Sequence, residues 1–264
     1  MKNLYKILSI SILTIVVFAG TNSVYAKEPV KTTIKKEDGT AKLVEKSNKE
    51  IDQRIESLNK LTARVNEMRR LTDAQKSGII TQIQGLVTSL TTLKTKIAID
   101  MTASSTDQSV LKEDMESITK SYRIYALIMP QIHIIATVDR IATLGSSLTT
   151  VGTKLQTRID LATTTDTTVL KATLVSYTTH IANANTQAQA ALNLVLPLVP
   201  DNGDKAVQDK NMAALKEARA NIKKAMEEIA LARKDAETII KALSPKSAKT
   251  VKSIEKSTTK TPKK

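Results

Sequence analysis

Residues 51–68 read IDQRIESLNKLTARVNEM, and the spacing of their apolar side chains decides the fold class. Ile51, Ile55, Leu58, Leu61, Val65 and Met68 recur at steps of three and four. On a helix of about 3.6 residues per turn that spacing lines a single face, whereas on a strand it would scatter over both. No segment of the chain alternates with the period of two that a half-buried strand requires. The expected fold is therefore all-α.

The same periodicity extends along the chain. Thr72-Asp73-Ala74-Gln75 places a hydroxyl three residues before an amide, the pattern of a reciprocal N-terminal cap. It opens a second helix carrying Ile79, Ile80, Ile83, Leu86, Leu90, Leu93 and Ile97. A turn over Thr102 to Thr106 leads to a third, with Val110, Leu111, Met115, Ile118, Tyr122 and Tyr125 expected to face inward. Pro130 then interrupts the apolar run from Ala126 to Ala136. It marks either a kink in a continuous helix or the first position of a new helix after a tight turn.

An internal match favours the turn. Leu86–Ile97, LVTSLTTLKTKI, aligns with Leu144–Leu155, LGSSLTTVGTKL, with seven of twelve pairs identical. One residue further out of register, Asp107, Val110, Leu111 and Lys112 match Asp166, Val169, Leu170 and Lys171. The first offset sets Thr72 opposite Pro130, so the second and fourth helices start at equivalent points and a helical hairpin is duplicated. The fourth helix runs to about Leu161 (Ile134, Ile141, Leu144, Leu148, Val151, Leu155, Ile159). A fifth carries Val169, Leu170, Leu174, Ile181, Ala184, Ala188, Leu192 and Val195. Pro197, Pro200, Asn202 and Gly203 make a loop. A last helix over residues 205–243 carries Met212, Leu215, Ile222, Met226, Ile229, Ile239 and Leu243, with Lys224 and Glu228 as an ordinary surface pair. The architecture expected is an elongated antiparallel helical bundle of five to six helices with a duplicated hairpin.

The ends differ from the body. Lys2 and Lys6, then the apolar run Ile7–Ala19, then Val24-Tyr25-Ala26 follow the positive, apolar, small order of a secretory signal peptide. The run is shorter than the roughly 20 residues that span a bilayer. The divisions expected are a signal peptide over 1–26, a disordered basic leader over 27–46, the bundle over 47–243 and a disordered tail over 244–264. After cleavage no transmembrane anchor remains. Residues 241–264 hold eight lysines against Glu255 alone, and residues 27–49 hold seven lysines against four acids. Residues 50–240 are left nearly neutral, so the net charge of +14 sits in the ends.

Chemistry is sparse. The two histidines, His133 and His180, lack the acid one turn away that builds metal sites in bundles, and each reads as structural or surface. There is no cysteine, no Gly-x-Ser-x-Gly elbow and no phosphate loop. Glu227 and Glu228 are neighbours that point different ways on a helix. The expectation is a non-enzyme with no cofactor and no metal. Tyr122, Arg123 and Tyr125 form the one aromatic cluster. It reads as helix-junction packing or as a surface for a protein partner or self-association. The tail lysines Lys246, Lys249, Lys252, Lys256, Lys260, Lys263 and Lys264 either solubilise the chain or contact a cell-envelope polyanion, a wall polymer or anionic lipid headgroups. Sequence-specific nucleic-acid binding is disfavoured because stacking aromatics are missing.

At Ser121–Leu127 (SYRIYAL), Pro130, Ile134-Ile135-Ala136, Asp139-Arg140 and Lys154–Ile159 (KLQTRI), the chain resembles uncharacterised secreted α-helical proteins of small-genome candidate-phylum bacteria. The likeness covers roughly residues 47–200. It implies an exported helical protein, carries no activity and transfers no functional residue. Two functional classes stand on these readings. One is an exported structural or interaction protein whose bundle is displayed at the envelope; the other is a soluble extracytoplasmic ligand-binding or chaperone-like bundle.

Overall fold

The computed structural model describes residues 38–102, 108–120, 123–163 and 166–244, which from Ala41 onward belong to one unit. Its helices are α1 (Asp38–Glu67), α2 (Asp73–Thr102), α3 (Gln108–Lys120), α4 (Met129–Asp160), α5 (Thr168–Val195) and α6 (Lys205–Ala242). A single π-helical turn, Ile124–Ile128, leads directly into α4. No strand occurs among the described residues, and the all-α bundle is the observed fold.

Burial follows a seven-residue repeat. In α1 the buried positions are Val44, Ser47, Ile51, Arg54, Leu58, Leu61 and Val65, in alternating steps of three and four that Met68 continues just past the helix end. In α5 Leu170, Leu174, Tyr177, Ile181, Ala184, Ala188, Ala191 and Val195 follow the same steps, and Leu192 is buried beside Ala191. A 3.5-residue period keeps one seam turned towards the neighbouring helices over the whole length, as in coiled coils. Val44 continues the series Ile51, Leu58, Val65 upstream. The helix therefore starts at Asp38, and residues 38–46, expected in the leader, are helical.

The seam register also explains the residues that sequence periodicity misplaced. Val169, Met212 and Tyr125 were expected inside and are exposed. Each sits beside the residue that takes the seam position: Leu170, Asn211 and Ile124. Val110 is also exposed, while Tyr122 lies outside the described residues. The reciprocal cap forms as expected, with Gln75 N–H donating to Thr72 Oγ1 and Thr72 N–H donating to Gln75 Oε1.

Side-chain size sets how closely the helices approach. Ala184, Ala188 and Ala191 of α5 are buried, as are Ala218, Ala225, Ala232 and Ala236 of α6. These two helices bring more backbone within 8 Å of each other than any other pair. In α4 the seam carries Gly145 and Gly152. A Cβ on Gly152 would lie 2.9 Å from the Tyr177 ring.

Chain direction departs from simple alternation. Lys94 of α2 pairs with Asp52 of α1, and Lys96 pairs with Asp114 of α3, as antiparallel neighbours do. Between α1 and α4 the paired positions rise together, from Arg54 with Tyr125 to Arg70 with Asp139. α4 therefore runs parallel to α1 and continues the direction of α3. The turn expected at Pro130 is absent. The break falls at Arg123, whose backbone is left-handed (φ 44°), and Pro130 occupies the first turn of α4. The wide turn before it carries a bond from Met129 N–H back to Ile124 O, five residues away. That local widening accommodates a residue with no N–H to donate. As a result the hairpins α2–α3 and α4–α5 point their tips in opposite directions.

Their bases overlap in a central zone where α4 is enclosed on most sides. Gln131, Ile132, Ile134, Ile135, Ala136, Val138, Asp139 and Ile141 are all buried there. This explains why the Ile124–Asp160 helix is long and apolar enough to cross a membrane yet is largely covered within the bundle. Beyond Gly145 only a stripe is covered, and α4, α5 and α6 share a second core of Leu155, Ile159, Leu170, Leu174, Tyr177, Ile181, Ala232, Ala236 and Ile239.

Candidate functional surface

The cluster picked out by sequence is divided by the structure. Arg123 Nε donates to both carboxylate oxygens of Asp201, at 2.9 and 3.2 Å. The Asp201 side chain is 2% exposed, and its Oδ1 also accepts from Gly203 N–H. Arg123 is thereby committed to the α5–α6 loop. Tyr125 stays exposed, with the Arg54 guanidinium 5.2 Å from its ring centroid, a cation–π arrangement that holds both side chains down.

Three further side chains bind the same loop region. Gln131 Nε2 donates to the carbonyls of Val195 and Leu198, Gln82 Nε2 to Leu198 O, and Asn211 Nδ2 to Val199 O. Asp204 caps α6 through Ala206 and Val207 N–H. Carbonyls at a helix C-terminus have no partner within the helix, and here amides from three other helices supply one. The buried Gln131 Oε1 keeps no donor. These residues are a structural clasp, legible in the sequence only as polar residues at seam positions.

His180 and its acids form a second polar group. His180 Nδ1 lies 2.5 Å from Glu228 Oε2, and Nε2 lies 3.9 Å from Asp235 Oδ2. Glu228 thus turns to His180 rather than to Lys224, because the seam brings α5 and α6 too close for it to stay on the surface. The three span two faces of the imidazole and do not converge on one point.

A third group is basic. Arg64 of α1, Arg69 and Arg70 of the α1–α2 turn, and His133 and Arg140 of α4 share one region. Arg70 N–H donates to Asp139 Oδ1 at 2.5 Å, which pins the turn onto α4 beside Arg140. By the register above, Arg64 falls level with the His133–Arg140 stretch. Partial burial, then the Arg140 charge, pull the Arg64 guanidinium below its ordinary pKa, with Glu67 opposing. Partial burial, then the Arg64 charge, lower His133 as well. Among the described residues, none of these arginine side chains has a carboxylate within ion-pair distance. The sequence hides this group because its members are dispersed over three elements. The tail lysines lie outside the described residues.

In comparisons with protein-family models, curated proteins and solved structures, nothing matches this chain.

Proposed function

We propose that this chain is an exported, non-enzymatic interaction protein whose helical bundle is held near the cell envelope by basic segments contacting polyanions. One observation carries this reading: residues 241–264 concentrate eight lysines against one acid at the end of a nearly neutral body. Such a segment is attracted to anionic surfaces through screened charge, over a range of roughly 8–10 Å at physiological salt. A bundle whose core is filled by interlocking seams suits a rigid part that is displayed. The test is binding of the full chain to isolated envelopes across a salt series, beside a chain whose seven lysines from Lys246 to Lys264 are replaced by glutamine. Salt-sensitive binding that the replacement abolishes supports the reading; equal binding of both chains overturns the tail's part in it.

A second reading, a ligand-binding or chaperone-like bundle, draws on exposed apolar side chains near the hairpin tips. These are Ile99, Met101 and Val110 at one tip, and Leu161, Val169 and Val175 at the other. Strong fluorescence of an apolar dye with the folded chain, lost on addition of an unfolded client, would favour it.

A further inference from the structure

We propose that Arg64, Arg70, His133 and Arg140 form a cradle for a phosphate oxyanion on the face where the α1–α2 turn meets α4. This deepens, and rests on, the polyanion-contact reading, and adds to the tail a site on the bundle itself.

Among the described residues, none of these arginine side chains is engaged by a carboxylate. Two other arginines of the bundle are engaged by a carboxylate or a ring: Arg54 by Glu50 and the Tyr125 ring, Arg123 by Asp201. Here like charges are gathered instead. The Asp139 carboxylate is buried, and its Oδ1 accepts from the Arg70 amide. The acid acting on Arg64, Glu67, is exposed and is opposed by the Arg140 charge.

Placement supports a shared ligand. His133 and Arg140 stand seven residues apart on α4, two turns along one exposed side, with the half-buried Thr137 between them. Arg64 reaches that side from α1. Arg70 arrives from the turn, which the bond to Asp139 holds fixed. Guanidinium groups present planar donor forks that match phosphate oxygens, so an oxyanion between them makes several charge-assisted bonds and relieves the repulsion. Solvent and salt screen part of the repulsion between these groups, and a bound oxyanion would relieve the rest.

The test compares four full-length chains: the original, Arg64→Gln with Arg140→Gln, the tail with its seven lysines changed to glutamine, and both sets combined. The probes are vesicles of equimolar phosphatidylglycerol and phosphatidylcholine, vesicles of phosphatidylcholine alone, and inorganic pyrophosphate. The expected result is that the tail-neutral chain still binds pyrophosphate or phosphatidylglycerol vesicles, and that the paired arginine change weakens this by about tenfold or more. The His133 titration, followed by NMR of its ring, should move to higher pH with pyrophosphate only while the arginines are present. The arginine variant should melt no lower than the original. Binding to phosphatidylglycerol alone assigns the phosphate to a headgroup, and binding to pyrophosphate assigns it to a soluble anion. If the arginine change weakens binding of neither pyrophosphate nor vesicles, and vesicle binding depends on the tail alone, the cradle is overturned and the envelope reading stands. If the original chain binds neither probe, both fall. A lower melting point with unchanged binding would make the arginines structural and overturn the cradle.

Discussion

The ring of Tyr177 closes over Gly152: a Cβ at that glycine would meet Tyr177 Cε1 at 2.9 Å. Seven residues earlier Gly145 faces a different neighbour: a Cβ there would meet the side-chain Oδ1 of the exposed Asn185 at 2.8 Å. Alanine favours a helix interior over glycine by about 1 kcal/mol. At Gly145 the flexible Asn185 can swing aside, so Gly145→Ala should leave stability unchanged or raise it by up to about 1 kcal/mol. At Gly152 the aromatic ring is fully buried and cannot move, so Gly152→Ala should destabilise by about 1–3 kcal/mol. Urea unfolding of the two variants checks the contrast, and equal effects would refute it.

Tyr177 itself donates its hydroxyl to the Leu148 carbonyl, and burial holds the phenol well above its ordinary pKa. Tyr177→Phe keeps the ring and removes one bond, for a loss of about 0.5–1.5 kcal/mol. Tyr177→Ala empties the second core and should cost about 3–5 kcal/mol. Thermal melts of both variants give the comparison.

Asp201 carries more than its pairing with Arg123, because it also accepts from Gly203 in the loop. Asp201→Ala leaves a half-buried guanidinium without its partner and should cost about 3 kcal/mol. Amide hydrogen exchange should then rise first at residues 196–204. Exchange that rises uniformly along the chain would argue against a local clasp.

Ala225 is fully buried, and its helix shares more backbone within 8 Å with α5 than any other pair of the described helices does. Ala225→Leu forces the two backbones apart and should destabilise by about 1–3 kcal/mol or more, whereas Ala225→Ser, a small change, should cost much less. Denaturant midpoints with unchanged slopes would establish this.

His133 predicts a pH dependence. Its folded pKa lies below the ordinary 6.5 because of partial burial and the Arg64 charge. As pH falls through that value the unfolded ring takes up a proton before the folded one. Its contribution is therefore fully present above the ordinary value and is lost as pH falls towards the folded pKa. The drop in urea midpoint between about pH 7.5 and about pH 5.5 should shrink in His133→Gln. An unchanged drop would assign it to other groups.

Periodicity made the helices, the reciprocal cap at Thr72 and most of the core readable from the sequence, because apolar spacing in a bundle is set by the seam itself. It failed at Val169, Met212 and Tyr125, where two adjacent residues fit the stripe equally well and only the three-dimensional register chooses between them. At Pro130 it placed the proline correctly in the first turn of α4 but expected a tight turn before it that does not form. A proline excludes a helix interior but not a first turn, and nothing local to the sequence shows that the wide turn at Ile124–Ile128 lets the path continue. Of the candidate surface, Arg123 and Tyr125 were visible as a cluster, but their partners Asp201 and Arg54 are remote in sequence. The basic group was invisible for the same reason.

Because α3 passes into α4 without reversing, the two exits of the bundle are set far apart. Val44, near the start of α1, belongs to one core, and Leu243, just past the end of α6, packs on the other. An odd number of reversals would have returned both exits to one side; the passage at Arg123 removes one. A chain tethered through the segment after Leu243 would therefore stand on that end like a post, with the beginning of α1 facing outward. The leader and the tail would meet different surroundings, and a label placed at residue 41 should remain accessible when one placed at residue 244 is shielded.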